Sequence, residues 1–481
     1  MKSGHLSLMT DFYELTMMQG YFYNAPEERG VYEMFYRSRP FNGGYAVFAG
    51  LYPFLEALQD ISFSAEDIKY LESPGIFKTE FLDYLKGFRF SGDIYALKEG
   101  TFVFPDEPLV RVHGTLMEIQ FIESMLLNFT NYQTLIATKA SRITGAAGEA
   151  PVLEFGLRRA QGTDGALSAS RAAYIGGAAS TSNTLAGKLY SIPVSGTMAH
   201  SWIMGFESEL ESFERYADLY PDNCVLLVDT YDTLNSGVPN AIKVFRRIQE
   251  TASSMAIRID SGDLEYLSKN SRIMLDREGL NRVRIYASGD IDEWIIEHLR
   301  NSGAPVDAWG VGTRMVTGWD DPALSGVYKI VAVIKGDKIF PRIKISNQPE
   351  KITNPGIKNI MRFYDTNGHM TADLLYLEDE EAGLMKKISE REPVNFNHPS
   401  VDFAGFTMTN YSSAEKLLHR VMSNGRINGP VPALAGMREH RNNQKKMLDA
   451  TFRRLLNPHR YKVSLSDKMK ELKFGLIKTH S

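Results

Sequence analysis

The run VLEFGLRRAQGTDGALSASRAAYIGGAASTSNTLAGKLYSIPVSGTMAH, residues 152–200, decides how this chain is read. An apolar, strand-like stretch, VLEF, with Phe155 at its end, breaks into Gly156 and the cations Arg158 and Arg159. A helix rich in small residues follows. A second apolar run, IPVSGT (192–197), then ends in Gly196 and Thr197 just before His200. Strand, polar turn, helix, strand is the repeating unit of a parallel sheet, and in a barrel of such units the chemistry gathers at the strand ends.

The same unit recurs downstream. Apolar runs appear at VLLVDTY (225–231), MAIRID (255–260), VRIYAS (283–288), AWGVGT (308–313) and VYKIVAVI (327–334). Helix-like segments at 201–220, 241–253, 265–278 and 292–302 separate most of them, which leaves room for one strand and one helix per unit. Near-continuously apolar runs suit strands buried on both faces. The predicted fold is α/β: a (β/α) barrel, closed or incomplete, over 149–335, ranked above an open doubly wound sheet, with a second, α+β domain assembled from N- and C-terminal segments. Residues 1–148 read as helices and short strands, with a strand pair around VYEMFYRSRPF and GGYAVFAGL. Residues 336–481 read as strands that join the N-terminal ones, then largely as helices from 412. Asn367-Gly368 between apolar runs is a hairpin signal.

Length and composition narrow the class. A chain of 481 residues is too large for one core. Net charge is −4, so no overall basic field invites nucleic acid. One cysteine, Cys224, can neither staple the fold nor build a zinc site, and it fits a reducing compartment. No secretory leader pattern or membrane-length apolar run is present, so the expectation is a cytoplasmic protein with no membrane partner.

Each barrel-type run ends in polar residues: Asp229 after 225–228, Arg258 and Asp260 in the next, Gly289 and Asp290 after 283–288, Gly312 and Thr313 at 312–313. Four such endings in succession predict a shared site for an anionic ligand. Glycines let backbone approach a phosphate, and neither Gly289 nor Gly312 sits in a dinucleotide or Walker fingerprint. Asp229, Asp260 and Asp290 suit the hydroxyls of a phosphorylated sugar, or a magnesium ion riding on its phosphates. His200, at a strand end, is of a residue type that suits acid, base or nucleophile chemistry. Tyr13, in TDFYELTMM, reads as a packing residue on local pattern. Lys344, Lys351 and Lys358 form a basic strip that either guides phosphates or is simply solvated.

The segments TDFYELTM, RPFNGGYAVFAGL, EFGLRRAQGTDGALSASRAAYIGGAASTSN, SGTMAHSWIM, VDTYDTLNSG, IRIDSGDL, YASGDID, WGVGTRMVTGWDDPALSGVYKIVA and NPHRYKVS together resemble the nicotinate phosphoribosyltransferase family, of the type II phosphoribosyltransferases. The resemblance spans nearly the whole chain and implies the incomplete form of the (β/α) barrel. It implies transfer of a phosphoribosyl group from phosphoribosyl pyrophosphate to nicotinate, with Mg²⁺, and with ATP as a co-substrate through a phosphohistidine at His200. It implies that Phe155 and Tyr13 sandwich the pyridine ring, with Thr197 also on nicotinate and with Arg158, Arg258 or backbone donors to neutralise its carboxylate. Arg258 and Asp260 match substrate-binding residues with His200 in the catalytic set, and Gly289, Asp290, Gly312 and Thr313 match the loops that hold the phosphoribosyl phosphate. The tyrosine comes from a neighbouring subunit, which implies a homodimer with the site at its interface. The rival readings are a nicotinamide or quinolinate enzyme on the same fold, a barrel aldolase using Lys243 or Lys329, and a non-catalytic metabolite-binding relative. The cationic LRRAQG segment favours an acidic base.

Overall fold

A computed structural model describes residues 3–348 and 351–480. The chain divides into two compact units, Lys139–Pro322 and the joined segments Met1–Thr138 and Ala323–Ser481.

The unit Lys139–Pro322 is built on six parallel strands. Their spatial order is Ser180–Thr181, Val152–Glu154, Ala308–Val311, Arg284–Gly289, Met255–Ile259 and Cys224–Leu227. In chain order this is a ring cut once, between Ser180–Thr181 and Cys224–Leu227. The barrel is therefore incomplete, as the family resemblance implies. The cut falls where IPVSGT was expected to add a strand. That run contributes only a single bridge, Thr181 to Val194, because Pro193 removes a ladder donor.

Cys224–Leu227 and Ala308–Val311 are buried at every position, as strands covered on both faces must be. The helices behind them bury one stripe. In Val238–Ile248 the stripe is Val238, Ala241, Ile242, Phe245 and Ile248, at three- and four-residue spacing. Side-chain caps start the helices cleanly. Asp263 accepts from the Tyr266 amide, and Asp292 from those of Trp294 and Ile295.

The other unit carries the run VYKIVAVI, which corrects the sequence reading of it as a barrel strand. Gly326–Lys335 pairs antiparallel with Arg29–Tyr36, so the barrel unit closes at Pro322 and not at 335. The upstream boundary also shifts, to a point inside the helix Glu123–Ala147. Apolar run length alone cannot distinguish a parallel strand from a central antiparallel one. Arg29–Tyr36 does not pair with GGYAVFAGL either; its second neighbour is Val110–Thr115, while Ala46–Val47 pairs with Phe102–Val103.

The C-terminal segment supplies strands to this unit throughout. His419–Ser423 joins Asp93–Ala96 in the seven-stranded sheet. Lys462–Leu465 enters a second sheet beside Met370–Leu377. Residues from 412 on are thus more strand-rich than read, with helices at Leu434–Met447 and Asp467–His480. The hairpin at Asn367-Gly368 is present between Lys358–Tyr364 and Met370–Leu377. No helix among the described residues is long and apolar enough to cross a membrane.

The supposed basic strip does not exist as a strip. Lys344 and Lys351 are exposed, but Lys358 is buried and pairs with the equally buried Glu33 at 2.5 Å. Burial pushes the Glu33 carboxyl up and the Lys358 ammonium down, each against the attraction of the other. Removing one member strands the second charge in the sheet. Lys358→Met should therefore cost about 3–5 kcal/mol, read as a lower midpoint of urea denaturation, whereas Lys351→Met should leave it unchanged.

Candidate active site

Period-two alternation along Met255–Ile259 and just beyond it puts Arg258 and Asp260 on one side of the sheet. The parallel register pairs Arg258 with Tyr286 and Ile259 with Ala287, so Ser288 continues that side on the next strand. The three side chains meet. Arg258 Nε donates to Ser288 Oγ at 2.8 Å, Nη2 donates to Asp260 Oδ1 at 2.6 Å, and Ser288 also donates to Asp260 Oδ1. Arg258 Nη1 reaches back to Thr197 Oγ1 at 3.0 Å. The guanidinium lies over the ring of Phe155, 5.5 Å from its centroid.

These residues border a cavity of about 450 Å³ at the strand ends. Phe155, Arg158, Thr197, His200, Arg258, Asp260, Gly289, Asp290, Gly312 and Thr313 all line it. The structure thus collects into one concavity every site residue proposed from the barrel segment except Asp229. That residue stands behind: its Oδ2 accepts from the Asp260 amide at 2.9 Å and from Ser261 Oγ at 2.6 Å. Tyr13 belongs to the other unit, on the helix Phe12–Asn24, with 48% of its surface exposed. Burial and then the neighbouring carboxylates of Glu123, Glu14 and Asp11 push its phenol up to about 12, so it stays neutral.

Charge is arranged unevenly. Burial pushes the Asp260 carboxyl up, but the Arg258 guanidinium, the Ser288 and Arg258 hydrogen bonds and nearby His200 outweigh it and hold the group below the ordinary carboxylate range. Asp260 is an anion whose side-chain bonds among the described residues all end on Oδ1, which leaves Oδ2 for a ligand hydroxyl. Arg258 is spent on Asp260, Ser288 and Thr197. Arg158 and Arg159, on the turn Leu157–Arg159, are exposed at the rim, and their side chains make no hydrogen bond among the described residues. They are the cations free to meet an incoming anion.

Backbone approach explains the glycines. Gly289 has φ +110°, and a Cβ there would sit 2.5 Å from the Asp260 carbonyl oxygen. A Cβ on Gly310 would strike the Phe155 ring at 2.7 Å.

Several contributors were not legible in the sequence. The orienting partner of His200 is Thr230, whose Oγ1 lies 3.0 Å from Nδ1. Ser288 joins Arg258 to Asp260. Glu154, fully buried behind Phe155, accepts from Thr181 Oγ1 at 2.5 Å, Ser170 Oγ at 2.9 Å and the Gly156 amide. For Ser288 a signal was available, because it sits one place before the phosphate-type Gly289 on a strand end. Thr230 and Glu154 are recognisable only from their long-range contacts.

Comparisons with known proteins point one way. The family model described as the nicotinate phosphoribosyltransferase (NAPRTase) N-terminal domain matches residues 8–131, and that of the nicotinate phosphoribosyltransferase C-terminal domain matches 357–473. A nicotinate phosphoribosyltransferase of Bacillus subtilis is 42% identical over 468 residues, covering 97% of this chain and 94% of that one. The crystal structure of human nicotinic acid phosphoribosyltransferase superposes with a TM-score of 0.81 at 30% identity, over 97% of this chain and 99% of that one. A nicotinate-nucleotide pyrophosphorylase from Pyrococcus furiosus shares the fold, with a TM-score of 0.71 at 22% identity over 92% of this chain and 96% of that one.

The Asp260 pKa lies below its unfolded value. Its contribution to stability is present above the unfolded carboxylate pKa and is lost as pH falls through the folded one. Arg258→Met should move the Asp260 titration upward, followed by the carboxyl ¹³C shift against pH. An unmoved titration would show that Arg258 is not what holds the anion.

Proposed function

The chain belongs to the nicotinate phosphoribosyltransferase family, and from that premise we propose how its pocket works. The family reaction joins nicotinate to phosphoribosyl pyrophosphate and releases nicotinate mononucleotide and pyrophosphate, a step of NAD biosynthesis. The observation that carries the reading is that one cavity of about 450 Å³ holds an aromatic face, rim cations, a sugar-type carboxylate, two glycine loops and a histidine.

The pyridine ring stacks on Phe155, and the carboxylate of nicotinate meets Arg158 at the rim, with Thr197 beside it. Tyr13 of a second copy of this chain covers the opposite face, which makes the working unit a homodimer. The high exposure of Tyr13 and of its neighbour Phe12, at 51%, supports that role. The 5-phosphate takes the loops of Gly289, Gly312 and Thr313, and Asp260 Oδ2 and Asp290 take the ribose hydroxyls.

The nicotinate ring nitrogen attacks the anomeric carbon as its bond to pyrophosphate breaks. Positive charge builds on the ribose ring, and the Asp260 anion, preorganised by Arg258 and Ser288, stabilises it without having to reorient. Mg²⁺ fits as an ion carried in on the substrate. Among the described residues no three His, Cys, Asp or Glu side chains converge, while the buried Oδ1 of Asp229 has no hydrogen-bond partner there. When bound, the ion neutralises the leaving pyrophosphate.

His200 couples ATP to this cycle. In the tautomer whose Nδ1–H donates a hydrogen bond to Thr230 Oγ1, Nε2 keeps a lone pair that takes the terminal phosphoryl of ATP as ADP leaves. The phosphohistidine favours the conformer that grips phosphoribosyl pyrophosphate, and its hydrolysis releases that grip. The single cysteine supports a reducing, cytosolic setting. His200→Ala should abolish ATP hydrolysis and raise the apparent KM for phosphoribosyl pyrophosphate, leaving slower, uncoupled synthesis. ATP consumption per mononucleotide that is unchanged in the variant would refute the role.

A further inference from the structure

Beyond the residues that line the pocket, one ion pair joins its two glycine loops. The strands Arg284–Gly289 and Ala308–Val311 are parallel neighbours, and the last register pair is Gly289 with Val311. Three residues past each of these stand Asp292 and Arg314. Arg314 Nη1 donates to Asp292 Oδ2 at 2.9 Å, so the pair continues the strand register beyond the end of the sheet. Neither residue lines the cavity, while Gly289, Asp290, Gly312 and Thr313, between strand ends and ion pair, all do.

The two ends of the pair are anchored unequally. Asp292 is 3% exposed, and its other oxygen caps the Trp294 and Ile295 amides. Its neighbour Glu293 is fully buried and bonded to Lys139 at 2.8 Å and Arg142 at 2.9 Å. This side cannot shift without uncovering buried charge. Arg314 lies on a turn of only four helical residues, Thr313–Val316. Its guanidinium sits 5.0 Å from the centroid of the Trp319 ring, and Asp292 is the one hydrogen-bond partner of that guanidinium among the described residues. The Gly312–Thr313 side rests on the buried Met315 and Val316 of that turn, and the Arg314 guanidinium is its side-chain tie to the Asp292 side.

We propose that Asp292 and Arg314 are positioning residues: their ion pair holds the Gly312 loop against the Gly289 loop, so that the backbone and hydroxyl donors of both converge on one phosphate of phosphoribosyl pyrophosphate. The inference rests on the reading of these loops as the phosphoribosyl phosphate site. Neither side chain touches substrate. The pair acts by keeping two sets of donors at the spacing a single phosphate requires, where a displacement of an ångström is costly. It should affect this substrate and not nicotinate, whose ring lies on Phe155.

The test is steady-state kinetics of the full chain with each substrate varied separately, beside thermal melting. Asp292→Asn keeps the helix cap, because asparagine caps as well as aspartate, and removes the charge. Arg314→Met removes the other partner. Each should raise the KM for phosphoribosyl pyrophosphate about tenfold, with the nicotinate KM within about twofold. The double variant should be little worse than either single one, since both delete the same contact. Arg314→Lys, which keeps a charge able to reach one carboxylate oxygen, should restore most of the loss. Thr313→Ala, on the loop itself, separates the two levels. If it raises that KM and the ion-pair variants do not, the clamp is overturned and the loop reading stands. If it leaves that KM unchanged, the loop reading fails and the clamp with it. A uniform fall in kcat with both KM values unmoved and a lower Tm would make the pair merely structural and also overturn the proposal.

Discussion

The guanidinium of Arg258 is the contact around which the barrel unit organises its open end. It spends its donors on Asp260, on Ser288 of the neighbouring strand and on Thr197 of the segment before His200, and its face lies over Phe155. One side chain thus links three chain segments that have no covalent reason to be together. The linkage has an electrostatic consequence. Half-buried Asp260 would drift toward its neutral form on burial alone, and the cation beside it keeps it ionised. In the proposed reaction, an anion held this way would meet developing positive charge without loss of free energy to reorganisation.

That arrangement works only because the strands are parallel and in register. Parallel pairing brings the polar ends of successive strands to one rim, so residues scattered from 155 to 313 line one cavity. The cost is crowding of backbone near the mouth, and glycine relieves it. Gly289 passes under the Asp260 carbonyl, and Gly310 makes room for the Phe155 ring. Side chains at either place would push apart the strands that the Arg258 network draws together. The ring of strands stays open between Ser180–Thr181 and Cys224–Leu227, and the segment at that gap carries Thr197 and His200 into the pocket. A closed barrel would have committed those residues to ladder pairing.

The other unit solves a different problem, that of joining chain segments hundreds of residues apart. Its sheets bury charged pairs, Glu33 with Lys358 and Arg362 with Asp373, each with neither partner appreciably exposed. Such pairs add little net stability, because desolvation offsets their attraction. They do penalise wrong pairings, since a slipped strand would leave a naked charge inside.

Much of the pocket was legible because it is local. A strand ending in Arg-Ile-Asp, a Gly-Asp or Gly-Thr at the next ends, and a histidine after a glycine turn all lie within a few residues of an apolar run, and side-chain alternation follows from the backbone period. The order of those runs also implied the parallel sheet. What local pattern could not carry was partnership. Thr230 as the neighbour of His200, Ser288 as the bridge between Arg258 and Asp260, and Arg314 reaching Asp292 are all set by which strand lies beside which. The same limit misassigned Gly326–Lys335, whose apolar run is equally at home in a barrel or between two antiparallel neighbours, and left Lys358 looking like surface. The amino-acid order determined which groups stand at strand ends, because each residue's own backbone and its immediate neighbours set that. Only the tertiary structure decided which of them touch and which charges are buried, because hydrogen bonds and desolvation depend on neighbours in space that lie far apart along the chain.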